Sequence, residues 1–367
     1  MKKIYPLLFK DSCTENSVAL NGFLQDNTLD EIIETYLGNL LGDNVFSFFQ
    51  GNFPISVEIK REMQRTPIKV SPNNDLSLQR YECWGKERMI YIISARKDSS
   101  MYIGFQKSLS ATELYEKCQK GIILGAMNEI EPEEGETFYI RPGVPFSIGP
   151  GIKYLELSQN SPVEFNIENM EQMVEALDFI KLEAAVPEYI APEECLFRME
   201  RVAITKPQTI APDQTESFML VVNLDNQTSL KTRELQGPKE NTPENWLLLE
   251  NNDIALIPHD ISELVIAPAQ EGENPTSSFL RIYMSNIPAP PKDEEEEEEH
   301  EHGHDCGCGH EEHGHDCGCD HDHGHDDDCG CGHDDHDCGC GHDHSNDDDC
   351  GCGHDDHDCG CGHHNYN

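Results

Sequence analysis

Histidine is almost absent from the first 292 residues of this 367-residue chain, in which His259 stands alone. Lysine and arginine are absent after Lys292, and no run of about 18 apolar residues, the length of a membrane-spanning helix, occurs anywhere. The first absence excludes an imidazole-rich metal site in the long N-terminal part. The second excludes a basic nucleic-acid-binding segment at the C-terminus, and the third excludes a membrane span.

The charge of the chain is strongly one-sided. It has 70 acidic and 26 basic residues, and its formal net charge is -44. Residues 293–367 carry 27 of the acidic residues and no basic one. Such a polyanion repels nucleic acid and anionic membrane surfaces and attracts cations. We therefore expect neither nucleic acid nor membrane among its partners, and we expect metal cations among them.

The C-terminal segment is built from repeated C-G-C-G-H units. It holds 12 of the 16 cysteines and 17 of the 18 histidines. Thiolate and imidazole are ligands of transition metals, and a glycine between two cysteines lets both sulfurs reach one ion. The spacing thus predicts metal binding. The predicted ligands are Cys306, Cys308, His310, Cys317, Cys319, Cys329, Cys331, His333, His336, Cys338, Cys340, His342, Cys350, Cys352, His354, His357, Cys359, Cys361 and His363.

This ligand set suits zinc first, and nickel, cobalt or Cu(I) as alternatives. The thiols and imidazoles together would complete roughly seven four-coordinate sites, which indicates exchangeable, metallothionein-like binding. With almost no apolar residues, the segment cannot offset its ordering entropy, so we expect it to be disordered without metal. The alternative is an acidic repeat that only solubilises the protein, but such a repeat would not need 12 oxidation-prone cysteines.

The preceding part of the chain has the pattern of a mainly β protein. Short β-branched or aromatic runs bounded by Gly, Pro, Asp or Ser occur in two groups, which indicates two jelly-roll domains. Strands are predicted at 89–93, 101–105, 137–140 and 152–157, and again at 196–204, 218–224, 246–250, 253–258, 262–267 and 279–284. Helices are predicted at 28–50, 110–127 and 168–183; the first two open on capping-box residues, Thr28 with Glu31 and Ser110 with Glu113.

Three segments in order carry a resemblance to a known family. They are I-K-V-S-P-N-N at 68–74, G-K-E-R-M-I-Y-I at 85–92 and G-E-T-F-Y-I-R-P-G-V-P-F-S-I-G-P-G-I at 135–152. Together they resemble type I mannose-6-phosphate isomerases, which are zinc enzymes of the cupin fold. The resemblance covers about residues 5–285. It implies two cupin-type jelly-roll domains with helical insertions and a sugar-phosphate pocket in the first.

On this basis the chain divides into five parts. The predicted parts are an isomerase-like cupin domain at 1–167, a helical connector at 168–187, a second cupin-like domain at 188–287, a Pro/Glu-rich linker at 288–299 and the Cys/His/Asp-rich segment at 300–367. The charged N-terminal stretch is too short for a signal peptide, and the four other cysteines show no disulfide-like spacing. We therefore expect a cytoplasmic protein.

The family's zinc ligands are where this sequence departs from the resemblance. The positions that match the Gln, His, Glu and His ligands hold, in that order, Lys69, Ser71, Arg88 and Phe146. Phenylalanine and arginine do not coordinate zinc, and added positive charge opposes a dication. Sugar isomerisation by this route needs a Lewis acid and a base, so we expect this activity to be lost. What remains of the family's pocket pattern is Lys86, Glu156 and Gln159.

Two interpretations of the altered pocket remain open. In one, Lys69, Lys86 and Arg88 hold an anionic ligand such as a sugar phosphate. In the other, Lys69 and Arg88 pair with Glu156 or Glu87 and fill the former cavity. The leading functional hypothesis is a metal-sequestering or metal-delivering protein, with an acceptor protein for the metal as a further partner. The alternatives are an active mannose-6-phosphate isomerase with an unconventional metal site and a sugar-phosphate-binding sensor.

Overall fold

The fold was analysed in a computed structural model, which describes residues 3–182, 193–211, 217–232, 246–269 and 275–288. Strand accounts for 37% of the structure and helix for 21%, which confirms the prediction of a mainly β protein. None of the described helices is long and apolar enough to cross a membrane. The predicted C-terminal metal ligands and most of the predicted linker lie outside the described residues.

The strands fall into an early group, before residue 167, and a late group, after residue 196. The early strands are β1 (Leu7–Lys10), β2 (Ser12–Cys13), β3 (Ile55–Arg61), β4 (Lys69–Val70), β5 (Arg88–Ala95), β6 (Met101–Phe105), β7 (Met127–Ile130), β8 (Thr137–Ile140), β9 (Phe146–Ile148), β10 (Ile152–Gln159) and β11 (Phe165–Asn166). The late strands are β12 (Phe197–Ile204), β13 (Gln208–Ile210), β14 (Met219–Asn223), β15 (Thr228–Thr232), β16 (Leu247–Leu249), β17 (Asp253–Ile257), β18 (Leu264–Pro268) and β19 (Ser277–Met284). The α-helices are α1 (Leu29–Tyr36), α2 (Gly38–Leu41), α3 (Asp43–Phe48), α4 (Asn74–Tyr81), α5 (Ala111–Gln119) and α6 (Met170–Ala176).

The first barrel consists of two five-stranded sheets that pack face to face. Their strand orders are β2-β3-β10-β5-β8 and β11-β4-β9-β6-β7, and the described pairings are antiparallel. Alternate residues point to opposite faces of a strand. In β5, Ile90 and Ile92 therefore face the interior of the barrel, whereas Met89 and Tyr91 face outward. The first barrel thus presents a second apolar face for packing.

The second barrel combines the late strands with the first strand of the chain. Its sheets have the orders β1-β17-β14-β19-β12 and β13-β18-β15-β16. Strand β1 pairs with β17 in register, Leu7 opposite Leu256 and Lys10 opposite Asp253. The domain limits predicted from the sequence stay a prediction, but this pairing assigns Leu7–Lys10 to the second barrel rather than to the first.

One hydrophobic core joins the two barrels. Outward-facing residues of the first barrel, such as Met89 and Leu155, pack with residues of β12, β14, β17 and β19 and with helices α1 to α3. Helix α1 begins after Thr28, whose side chain accepts a hydrogen bond from the Glu31 amide in a complete capping box. Ser110 and Glu113 form the same arrangement at α5. Both predicted capping boxes are confirmed, whereas the predicted helix at 28–50 is three short helices.

Candidate functional site

The positions that resemble the family's zinc ligands meet inside the first barrel. Lys69 lies in β4 directly opposite Phe146 in β9, and Arg88 begins β5 opposite Ser158 in β10. Inward-facing positions of β5 and β10 alternate with outward ones, so Arg88 and Glu156 share the barrel interior with Ile90 and Tyr154. The strand pairing therefore brings together residues that are far apart in sequence.

Arg88 is the centre of this group, and its side chain is only 1% exposed. Its Nη2 donates a hydrogen bond to Ser71 Oγ at 2.7 Å, and its guanidinium carbon lies 4.5 Å from the centre of the Phe146 ring. Its Nη1 lies 2.8 Å from Glu164 Oε2 and 3.9 Å from Glu156 Oε1. The guanidinium thus occupies the space between the positions matched to the zinc ligands.

Glu164 forms ion pairs with two cations at once. One carboxylate oxygen contacts Arg88, and the other lies 2.8 Å from Lys69 Nζ. Burial raises the pKa of Glu164, but the opposing effects of Arg88 and Lys69 outweigh it and lower the pKa to about 2. The sequence suggested that Lys69 and Arg88 pair with Glu156 or Glu87. Arg88 lies 3.9 Å from Glu156, whereas Lys69 pairs with neither of these two glutamates. Sequence reasoning missed Glu164, because a single glutamate before β11 belongs to no motif.

A second set of polar side chains continues along the barrel interior. Lys60 Nζ lies 2.8 Å from Glu58 and 3.4 Å from Glu156. Burial lowers the pKa of Lys60, but these two carboxylates outweigh it and raise the pKa. Further along, the Tyr154 hydroxyl donates to Glu62 Oε1 at 2.9 Å. Glu156, which the sequence assigned to the pocket, is therefore held between Lys60 and Arg88.

The two other predicted pocket residues, Gln159 and Lys86, differ in whether their side chains already have a partner. Gln159 accepts a hydrogen bond from the Glu87 backbone amide at 2.9 Å, so its carboxamide oxygen is committed to the protein. Lys86 is half-buried and has no ion pair in the described part of the chain. Burial and the neighbouring Arg88 lower the pKa of Lys86, although Glu164 and Glu156 act in the opposite direction. Lys86 is therefore the pocket cation best placed to meet a ligand.

Glu87 follows Lys86 but belongs to the opposite face of the strand, as alternation predicts. Its neighbours are Tyr139 and Cys195, and burial raises the pKa of its carboxyl group. One of its oxygens, Oε2, is buried without a hydrogen-bond partner in the described structure. Glu87 therefore cannot replace the missing carboxylate ligand inside the barrel.

The zinc ion implied by the resemblance does not fit this site. A guanidinium, an ammonium group, a phenyl ring and a hydroxyl stand where four ligands would be required. The guanidinium is already held by Glu164 and Ser71, so a dication would have to displace a buried cation. Among the described residues, no group of three or more His, Cys, Asp or Glu side chains is arranged to hold a metal.

Part of the chain is similar in sequence to a known isomerase. No protein-family model matches the chain. The chain is 27% identical to the mannose-6-phosphate isomerase ManA of Bacillus subtilis over 166 residues, which are 42% of this chain and 48% of that protein. The chain therefore matches about half the length of this curated relative.

Solved structures resemble a larger part of the chain. A mannose 6-phosphate isomerase from Bacillus subtilis aligns with a TM-score of 0.58 at 19% identity, covering 73% of this chain and 85% of that one. A phosphomannose isomerase variant from Salmonella typhimurium aligns with a TM-score of 0.58 at 13% identity, covering 77% and 91%. The chain thus has a mannose-6-phosphate isomerase-like fold of the cupin type, as expected from its sequence.

Proposed function

We propose that this protein binds transition-metal ions through its C-terminal Cys/His-rich segment, for sequestration or delivery, and that its isomerase-like barrels do not isomerise sugar phosphates by a metal-dependent route. The observation that carries the second part is the buried Arg88 guanidinium, held between Ser71 and Glu164. The first part is supported by the spacing of 12 cysteines and 17 histidines after residue 292. Zinc suits these ligands, and nickel, cobalt and Cu(I) are the alternatives.

The chemistry of isomerisation explains why Arg88 matters. Moving a proton between adjacent carbons of a sugar requires that the carbonyl be polarised and that a base be placed next to the substrate. Here the carboxylates of the site are engaged: Glu164 with Arg88 and Lys69, and Glu156 with Lys60. The site therefore offers neither a Lewis acid nor a free carboxylate base.

A sugar-phosphate-binding role without turnover is the second candidate, and Lys86 favours it. Its ammonium group has no ion-pair partner among the described residues and can attract an anion, whereas the neighbouring Arg88 is already paired with Glu164. This candidate is compatible with a metal-binding C-terminal segment. The active isomerase suggested by the resemblance finds no support in the ligands of the first barrel.

The test compares the metal content of the full chain with that of a truncation ending at Ile287. Mass spectrometry after zinc loading and desalting should find several equivalents in the full chain and none in the truncation. Metal retained by the truncation, and none added by the C-terminal segment, would contradict the proposal. Turnover of mannose 6-phosphate to fructose 6-phosphate by the loaded full chain would restore the isomerase hypothesis. Thermal stabilisation by mannose 6-phosphate without turnover would favour the sensor.

A further inference from the structure

A second group of cations lies at the other end of the sheet that carries Arg88. Arg61 ends β3, Arg96 follows β5, and Lys153 lies near the start of β10. These three residues line a cavity of ≈ 280 Å³, together with Glu62 and Gly151. Seven residues of β5 separate Arg88 from the end of the strand, which corresponds to about 23 Å. This basic cavity is therefore distinct from the interior cluster around Arg88.

Two of the three cations have no partner in the described part of the chain. Neither the Arg61 nor the Arg96 side chain forms an ion pair or hydrogen bond there, while Lys153 Nζ donates to Asn252 Oδ1 at 2.8 Å. Lys153 lies directly opposite Arg61 in the ladder between β10 and β3. Like charges in directly opposed positions destabilise a sheet. In a chain with 70 acidic residues, these cations still outnumber the carboxylates beside them.

The acidic residues near the cavity do not neutralise it. Glu62 also lines the cavity, where its Oε1 accepts the Tyr154 hydroxyl at 2.9 Å, but it is one carboxylate against three cations. Asp11 acts on Lys153 and favours its charged form, whereas burial and Arg61 lower the pKa of Lys153. The arginines thus keep their donors available for a ligand.

Local backbone features position two of the cations. The pairing of β10 with β5 shifts by one residue between Lys153 and Tyr154, a bulge of the kind that redirects a side chain. Gly151 has φ +87°, and a Cβ there would lie 3.0 Å from Arg96 Cδ and 2.7 Å from Ser99 Oγ. Because glycine has no side chain, Arg96 can lie against this turn, where its amide also donates to Gly151 O at 3.1 Å.

We propose that Arg61, Arg96 and Lys153 form a binding site for a small phosphate-type oxyanion, either inorganic phosphate or a compact phosphate monoester. Guanidinium groups match the geometry of phosphate oxygens and bind them in pairs of hydrogen bonds. The cavity lies near the lower limit of about 300 Å³ for small-molecule sites, which suits a ligand of this size. A bound dianion would also relieve the repulsion between Arg61 and Lys153.

The experiment is a calorimetric titration of inorganic phosphate into the full chain, treated with chelator so that no metal remains in the C-terminal segment. Arg61→Gln and Arg96→Gln should each weaken binding at this cavity about tenfold or more, and the double variant should abolish binding there. The matched control is Arg80→Gln, which removes an exposed arginine that pairs with Glu175 at 2.9 Å and should leave the affinity unchanged. A parallel titration with glycerol phosphate distinguishes a free phosphate from a monoester.

Further variants separate this cavity from the interior pocket. Lys86→Met removes the interior-pocket cation that is unpaired among the described residues, at the Arg88 end of the sheet, and should retain the phosphate binding of the basic cavity. Binding that is lost in Lys86→Met but retained in the double arginine variant would overturn the proposal, as would the absence of saturable binding by the wild-type chain. Arg61 and Arg96 are exposed, so the double variant should fold with an unchanged or higher melting temperature.

Discussion

Burying an arginine inside a barrel requires a carboxylate beside it, because an isolated charge is costly away from water. Arg88 has such a partner in Glu164, at 2.8 Å, and a second, more distant one in Glu156. Glu164 also pairs with Lys69, so the three charged groups interact as one unit. A change to one member should therefore affect the other two.

The first residue-scale prediction concerns Arg88→Met. The change leaves Glu164 paired with Lys69 alone, so we expect a loss of about 3 kcal/mol in the free energy of unfolding, the lower part of the range for broken buried pairs. Urea denaturation at neutral pH measures it. Arg80→Met, which removes an exposed pair with Glu175, is the control and should cost less than about 1 kcal/mol.

The cause of the stability loss in Arg88→Met can be identified from how the difference in unfolding free energy between wild type and variant depends on pH. The folded pKa of Glu164 is about 2, below the ordinary value of 4.5, so its ion pairs stabilise the fold fully above about pH 5. This stabilisation is lost as the pH falls from 4.5 towards 2. The gap between wild type and Arg88→Met should therefore narrow over the same interval. A gap that stays constant down to pH 2 would assign the loss to packing against Phe146 rather than to charge.

At the scale of elements, strand β1 links the start of the chain to the second barrel. Phe9 in this strand is 1% exposed and belongs to the core shared by the two barrels. Phe9→Ala should cost about 3–5 kcal/mol, because it removes a large buried side chain and leaves a cavity. Urea denaturation again measures the change. Phe23→Ala, at a position that is 45% exposed, should cost less than about 1 kcal/mol; equal losses would contradict the role of β1.

Elements whose signals are local could be predicted from the sequence. The capping boxes at Thr28 and Ser110 satisfy helix N-termini with residues three positions apart, so a short window contains all the information. Strand β5 could be predicted for the same reason, since its apolar run is continuous. The pairing of β1 with β17 could not, because it joins segments more than 240 residues apart. Glu164 escaped prediction similarly, as its partners lie on β4 and β5.

At the scale of the whole molecule, the ligand-poor barrels and the ligand-rich C-terminal segment have opposite chemistry. The barrels contain one histidine, and the positions matched to zinc ligands hold cations and a phenyl ring. The segment after Lys292 contains 12 cysteines and 17 histidines, and no basic residue competes with a metal there. If the segment binds zinc through pairs of cysteines, each Zn²⁺ adds two positive charges and displaces about two thiol protons, so the charge of the whole chain, -44 without metal, should change little on loading.

Acid should release the metal bound by the C-terminal segment. Free thiols have a pKa of about 8.5 and imidazoles one of about 6.5, so protons compete with the metal for both ligand types as the pH falls. We expect the zinc content of the loaded full chain to fall steeply between about pH 6 and pH 4, followed with a chromogenic chelator. Metal that persists below pH 4 would contradict release by protonation of thiol and imidazole ligands. The truncation ending at Ile287 should release none at any pH, which separates the C-terminal segment from the barrels.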